Sequence, residues 1–211
     1  MKIAIPIFDG ITALDAVGPY EVLARIPGAR VTFVATQPGT KRTDNGSLGL
    51  VADRSLADLP DPDVVLVPGG YGTDEAENDE TLLAWLRAAH ETTTWTTSVC
   101  TGAFVLGAAG LLQGRRATTH WGSIERLRVF GAEPVHERVV TDGKIMCAAG
   151  VSSGIDMALA LAATLTNDVV AQAIQLGIEY DPAPPFDAGT PFKAPPEVVD
   201  LVRKAIAARR G

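Results

Sequence analysis

Four short runs rich in β-branched and aliphatic residues recur along this chain: Lys2 to Phe8, Arg30 to Ala35, Val64 to Val67 and Thr94 to Val99. Between them lie segments with helical periodicity or turn chemistry. Strands that alternate with helices in this way lie parallel, because a parallel pair needs a crossover long enough to hold a helix. The pattern therefore predicts an α/β fold with a mostly parallel sheet. A chain of 211 residues, 46% hydrophobic and 20% charged, has enough apolar material for one full core, so residues 1–211 are expected to form a single domain.

Between the strands, Pro19 suits a first helical turn, followed by an apolar stripe of Tyr20, Val22, Leu23 and Ile26 that ends at Pro27 and Gly28. Lys41 to Ala52, with Asp44, Asn45 and Gly46 at its middle, reads as a hairpin arm, and Asp79 to Glu91 as an amphipathic helix. A second hairpin is expected within Val135 to Met146, turning at Asp142 and Gly143. Ser152 or Ser153 can cap a helix from Gly154 to Thr164, and Asn167 or Asp168 another that runs to about Ile178. The proline-rich tract Asp181 to Pro196 is expected to wrap the surface before a last helix, Glu197 to Ala208.

The formal net charge of −7 argues against a nucleic-acid partner, whose phosphates need a basic face. The adjacent basic pairs Lys41–Arg42, Arg115–Arg116 and Arg209–Arg210 read as solvated surface. The two cysteines and three histidines fall into no metal-ligand spacing and no disulfide framework. The apolar start is too short for a signal sequence, and the longest apolar stretch, Gly102 to Leu112, is far below the roughly 20 residues of a membrane helix. A cytoplasmic protein without metal or membrane contact is expected.

Chemistry concentrates in Trp95 to Gly107, WTTSVCTGAFVLG, where a β-prone stretch ends at Cys100 and a small-residue helix begins at once. A cysteine on such a turn faces the unpaired amides of the first helical turn, which favour a thiolate and lower its pKa. The competing reading is an inert buried cysteine.

Ligands in open α/β sheets bind beyond the carboxyl ends of the strands, which brings two more loops into view. FDGITALDAVG, Phe8 to Gly18, offers Asp9 and Asp15; Asp15 is the acid/base candidate or else a helix cap or the partner of a basic residue, and Asp9 a turn residue. PGGYGT, Pro68 to Thr73, lacks the spacing of a dinucleotide-binding loop, which argues against a nicotinamide cofactor. Its Gly70 amide either joins that of Thr101 at an anion site or belongs to a plain tight turn. His120 is the alternative base, with an orienting or structural role beside Trp121 preferred. His90 and His136 read as surface residues, and Cys147 as a buried small hydrophobe.

LDAVGPYEVL, VLVPGGYG, SVCTGAFVLGAAGLLQGRRATTHW and GVSSGIDMAL together resemble the ThiJ/PfpI superfamily, related to class I glutamine amidotransferases, over nearly the whole chain. The Cys-Thr-Gly elbow and the tail EYDPAPPFDAGTP resemble its isonitrile-hydrating branch. The resemblance implies a flavodoxin-like three-layer sandwich with β-hairpin additions, forming a homodimer. It implies that Cys100 is the nucleophile, with Asp15 as its acidic partner and Thr101 beside it. The implied substrate is a small isonitrile, converted to a formamide without metal or organic cofactor. The same cysteine and acid would serve a glyoxalase-like enzyme acting on methylglyoxal, but the histidine that follows the cysteine in that branch is absent. A noncatalytic ligand sensor, or a redox sensor built on an exposed low-pKa cysteine, is the remaining alternative. Tyr20, Trp121 and the Ile178 to Phe186 region are candidates to line the pocket.

Overall fold

The computed structural model describes the backbone of residues 1–210 and the side chains of residues 1–208. The strands are β1 (Lys2–Pro6), β2 (Arg30–Ala35), β3 (Gly39–Arg42), β4 (Gly49–Ala52), β5 (Arg54–Ser55), β6 (Val64–Val67), β7 (Trp95–Val99), β8 (Arg116–Ala117), β9 (Glu133–Pro134), β10 (Val139–Asp142) and β11 (Ile145–Ala148). The helices are α1 (Ala13–Leu23), α2 (Thr73–Ala76), α3 (Glu80–Thr92), α4 (Gly102–Ala108), α5 (Ser153–Leu165), α6 (Asp168–Gly177) and α7 (Pro196–Arg210), with a 3-10 segment over Trp121–Phe130.

Seven strands form one sheet in the order β10-β11-β7-β6-β1-β2-β5, parallel throughout except for the β10–β11 hairpin. From β1 the chain winds outward to β2 and then returns to the other side through β6 and β7. The reversal point therefore lies between β1 and β6, where open α/β sheets bind ligands.

Alternation along the strands splits the core into two. Ala4, Val65, Val67, Ile145 and Cys147 face α3, α4 and the 3-10 segment; Ile3, Ile5, Val64, Leu66 and Met146 face α1, α5 and α6. This is the expected three-layer sandwich. β3 and β4 form the expected hairpin arm. Asp79 caps α3, its carboxylate accepting from the Thr81 and Leu82 amides at 3.0 and 3.1 Å.

Several boundaries differ from expectation. Pro19 lies inside α1 rather than in its first turn, so the helix begins at Ala13 and Asp15 is a residue of that first turn, not a cap before the helix. A proline this far into a helix removes the bond residue 19 would return to the carbonyl of residue 15. Buried packing on both sides of it holds the helix together: Gly18, Pro19, Val22 and Leu23 are all buried. In the second hairpin the turn falls at Gly143, as expected, but β11 continues through Cys147 to Ala148 because it pairs in parallel with β7. The Arg209–Arg210 side chains lie outside the described residues. No described helix is long and apolar enough to cross a membrane.

Candidate active site

Because β1, β6 and β7 are neighbours, the loops after them open side by side, within about 10 Å at sheet spacing. Each supplies one part of a single cluster. β7 ends in Cys100, whose φ of 55° lies in the left-handed region that a non-glycine residue adopts only under constraint. The constraint is visible on three sides. The Cys100 amide donates to the Ala149 carbonyl at 2.8 Å, the Cys100 carbonyl accepts from Thr119 Oγ1 at 2.6 Å, and the next two residues pack on the β6 loop. Gly102 permits that packing, since a Cβ there would overlap the Val67 carbonyl oxygen.

From the β1 side, α1 carries Asp15 into the same place with no solvent exposure. Its Oδ2 accepts from the Gly69 amide at 2.9 Å. Its Oδ1 makes no hydrogen bond, and the Cys100 thiol is the side chain that acts on the carboxyl. Burial pushes the Asp15 pKa up to about 7, against the lowering effect of the Gly69 amide and the thiol. Asp44, held by Thr12 Oγ1 at 2.7 Å, adds a smaller upward push.

Burial also raises the Cys100 pKa, and the Asp15 charge raises it further; the Val151 and Thr101 amides and the Thr101 hydroxyl pull the other way and lose. The expected helix-terminal thiolate is therefore corrected. At 6% exposure, removal from water outweighs the amides of a short helix. The premise of a redox sensor, an exposed low-pKa thiol, is absent with it.

Two further expectations change. The Gly70 amide donates to Thr101 Oγ1 at 2.9 Å, so it is not aimed at an anion. Thr101 Oγ1 in turn donates to the Gly70 carbonyl at 3.1 Å, which ties the β6 loop to the elbow and leaves Asp15 to other partners. Gly70 adopts φ 134°, and a Cβ there would collide with the Gly10 to Thr12 backbone, so the glycine serves close approach of two loops.

His120 lines the cavity above Cys100 and its Nδ1 accepts from the Gly122 amide at 3.2 Å, with its ring tilted against Trp121. His136 is exposed, whereas His90 is half-buried and bonded to Thr96 Oγ1 at 2.8 Å rather than lying on the surface. Cys147 is fully buried.

The space beside Cys100 is a cavity of about 240 Å³. Gly70, Cys100 and Thr101 line it, with acidic groups at Asp44 and Asp74 and, from α7, Val202 and Ile206. A neighbouring cavity of about 340 Å³ shares His120 and Val151 with it and reaches Trp121 and Phe192. Of the pocket candidates, Trp121 is thus beside the site, whereas Tyr20 stacks on Phe33 with ring centroids 5.5 Å apart and lines neither cavity. Phe186 is largely exposed.

Sequence reasoning missed Val151, Thr119, Asp44 and the α7 pair. Thr119 stood in the tract singled out for His120, and Asp44 in the predicted hairpin turn. Neither carries a local mark of its distant partner.

The arrangement places a thiol on the wall of a small cavity with a buried carboxyl of near-neutral pKa beside it. It is suited to adding a nucleophile to a small electrophile and moving one proton between the reacting atoms.

An isonitrile hydratase of Pseudomonas putida is 45% identical over 209 residues, covering 98% of this chain and 90% of the relative. The crystal structure of a ThiJ/PfpI family protein from Pseudomonas syringae superposes with a TM-score of 0.95 at 37% identity, over 98% of this chain and 86% of that one. Drosophila melanogaster DJ-1β shares the fold, with a TM-score of 0.76 at 21% identity over 84% of this chain and 97% of its own. Residues 1–164 match the DJ-1/PfpI family, and the chain belongs to that family.

Proposed function

We propose that this protein hydrates isonitriles, R–N≡C, to N-substituted formamides, R–NH–CHO, with Cys100 as nucleophile and Asp15 as the proton carrier. The observation that carries the reading is the buried Asp15–Cys100 pair, in a chain that matches an isonitrile hydratase along nearly its whole length.

An isonitrile carbon accepts both a nucleophile and a proton, and the pair supplies both. The resting nucleophile is the thiol, so charge never accumulates on two buried acids at once. As Cys100 Sγ bonds to the terminal carbon, the thiol proton passes to the Asp15 carboxylate. Asp15 then delivers it to that carbon, giving the thioimidate R–N=CH–S–Cys100. Water adds to the same carbon, with Asp15 taking a water proton and returning it to nitrogen, to give R–NH–CH(OH)–S–Cys100. The carbon–sulfur bond breaks, the carbonyl forms, and the hydroxyl proton returns to sulfur through Asp15. A carboxyl with a pKa of about 7 can serve as base and acid in turn at neutral pH. Thr101 fixes the elbow through Gly70, and its amide and hydroxyl favour negative charge on sulfur as the thiolate leaves.

Cyclohexyl isonitrile is the test substrate, with formamide followed by chromatography. Turnover by the wild type and none by Cys100→Ala is expected; no turnover by the wild type sinks the reading.

The protein is read as a cytoplasmic homodimer. Supporting this are two free thiols and exposed apolar side chains, Leu176, Phe186 and Phe192, on α6 and the tail. Light scattering on the purified chain should give twice the 22.1 kDa chain mass.

A further inference from the structure

The polar parts of the Cys100 cavity come from the loops at the sheet's carboxyl edge. Its apolar wall has another source. Apart from Val151, whose amide serves the Cys100 thiol, the aliphatic side chains lining the cavity are Val202 and Ile206 of α7. The match to the family ends at residue 164, so this wall lies outside the segment that defines the family. α7 is docked where it can act. The Ile206 side chain lies so close to the Gly122 backbone that a Cβ on that glycine would sit 2.8 Å from Ile206 Cδ1, and the Arg203 guanidinium lies 5.9 Å from the Trp121 ring centroid.

The geometry of an isonitrile makes this wall consequential. R, N and the terminal carbon are collinear, so once the carbon meets Cys100 the R group must extend into the rest of the cavity. There it finds Val202 and Ile206 on one part of the wall and the carboxyl groups of Asp44 and Asp74 on another. Asp44 is bonded to Thr12, and Asp74 pairs with Arg126 at 3.2 Å. An anionic R group would meet like charge in a partly enclosed space.

We propose that Val202 and Ile206 form the subsite for the R group and, with Asp44 and Asp74 opposing anions, select isonitriles whose R group is neutral and apolar. The assignment rests on the hydratase reading, and its test separates the two. Hydration of cyclohexyl isonitrile and methyl isonitrile is measured for the wild type, Ile206→Ala and Ile206→Leu. Ile206→Ala should lower kcat/KM for the cyclohexyl compound about tenfold, mainly through KM, and leave the methyl compound within about twofold. Ile206→Leu should restore the wild-type ratio, which a merely misfolded helix would not do. Isocyanoacetate should be at least about tenfold poorer than its methyl ester in the wild type.

The independent readout is Cys100 alkylation, comparing chloroacetamide with N-cyclohexyl chloroacetamide by intact mass. The cyclohexyl reagent should lose its relative rate in Ile206→Ala. A cyclohexyl-to-methyl turnover ratio equal in wild type and Ile206→Ala overturns the subsite, and equal turnover of isocyanoacetate and its ester overturns the charge selection. Should the wild type hydrate neither isonitrile, the hydratase reading fails, and the alkylation ratio alone upholds or overturns the apolar subsite.

Discussion

Cys147 lies on β11 and Cys100 directly after the end of its neighbour β7; both are buried, and both have a thiol pKa raised first of all by burial. Burial therefore does not tell the two cysteines apart. Backbone and neighbours do. Cys147 is mid-strand in β11, opposite Ser98, with its side chain in the core under α3 and α4. Cys100 has left the strand at φ 55°, and its side chain belongs to the opposite face, where α1 brings Asp15. One cysteine is packed; the other is held out of regular structure against an acid. Strain of this kind costs on the order of 1–3 kcal/mol and persists only where the surroundings impose it.

The comparison is broken most directly by removing each thiol in turn. Cys100→Ala should lower turnover by on the order of 10⁴ or more while leaving the fold intact. Residual activity near the wild-type level would take Cys100 out of the mechanism. Asp15→Asn should cost about 10² to 10⁴ in kcat/KM, the usual range for a lost proton carrier. The pH profile sharpens this. Below pH 7 Asp15 is increasingly protonated and cannot accept the thiol proton, so wild-type kcat/KM should rise with pH through an inflection near the Asp15 pKa of about 7 and then level off. That limb should be missing from Asp15→Asn, and its persistence would assign the inflection to another group.

Asp15 also sets a stability signature that Cys147 cannot imitate. Its folded pKa lies above the ordinary carboxylate value, so between about pH 4 and pH 7 the folded state holds a proton the unfolded chain has released. Stability falls as pH rises across that window and stays low above it. Asp15→Asn removes the effect and should be more stable than wild type at pH 8, by on the order of 2–4 kcal/mol, with the gain vanishing near pH 4. Urea midpoints at the two pH values decide it; equal gains at both would mean the carboxyl is not desolvated as described. Thr101→Val should destabilise by about 1–3 kcal/mol at any pH, because the buried Gly70 amide loses its acceptor. Thr101→Ser should recover most of that.

Much of the difference between the two cysteines was legible in the sequence. The switch from β-branched residues to small helical ones at Cys100, and the absence of any such break at Cys147, follow from local propensity. The parallel sheet and the three loops at its carboxyl edge followed from strand spacing, because those properties are also local or nearly so. What was not legible was long-range. Asp15 appeared to precede a helix because Pro19 looked like its first turn; burial of α1 overrode the proline. The thiolate expected at Cys100 came from helix geometry alone, and only the folded structure reveals that desolvation exceeds it. The Gly70 amide looked free because its acceptor, Thr101 Oγ1, lies 31 residues away. Val202 and Ile206 belong to the last expected helix, whose sequence says nothing of what its apolar side chains cover.

The smallest expected effect is at Cys147, and there the sign carries the information. Ser98 Oγ is buried and makes no hydrogen bond to N or O; its polar neighbour is the Cys147 thiol, a weak partner. Cys147→Ser would place a hydroxyl beside it, so a new O–H···O bond offsets the lost sulfur packing. Cys147→Ala loses the packing and also leaves Ser98 without its weak partner. Serine should therefore be the more stable replacement, by about 1 kcal/mol, although burial of apolar surface alone would favour alanine. Both variants should keep wild-type turnover within about twofold, since the Cys147 side chain lies on the opposite face of the sheet from the Asp15–Cys100 pair. Thermal unfolding of the two variants, with turnover measured alongside, tests both halves. Alanine proving the more stable would mean that the Ser98 hydroxyl is satisfied elsewhere, and a large loss of turnover would mean that the two cysteines are coupled through the sheet rather than separated by it.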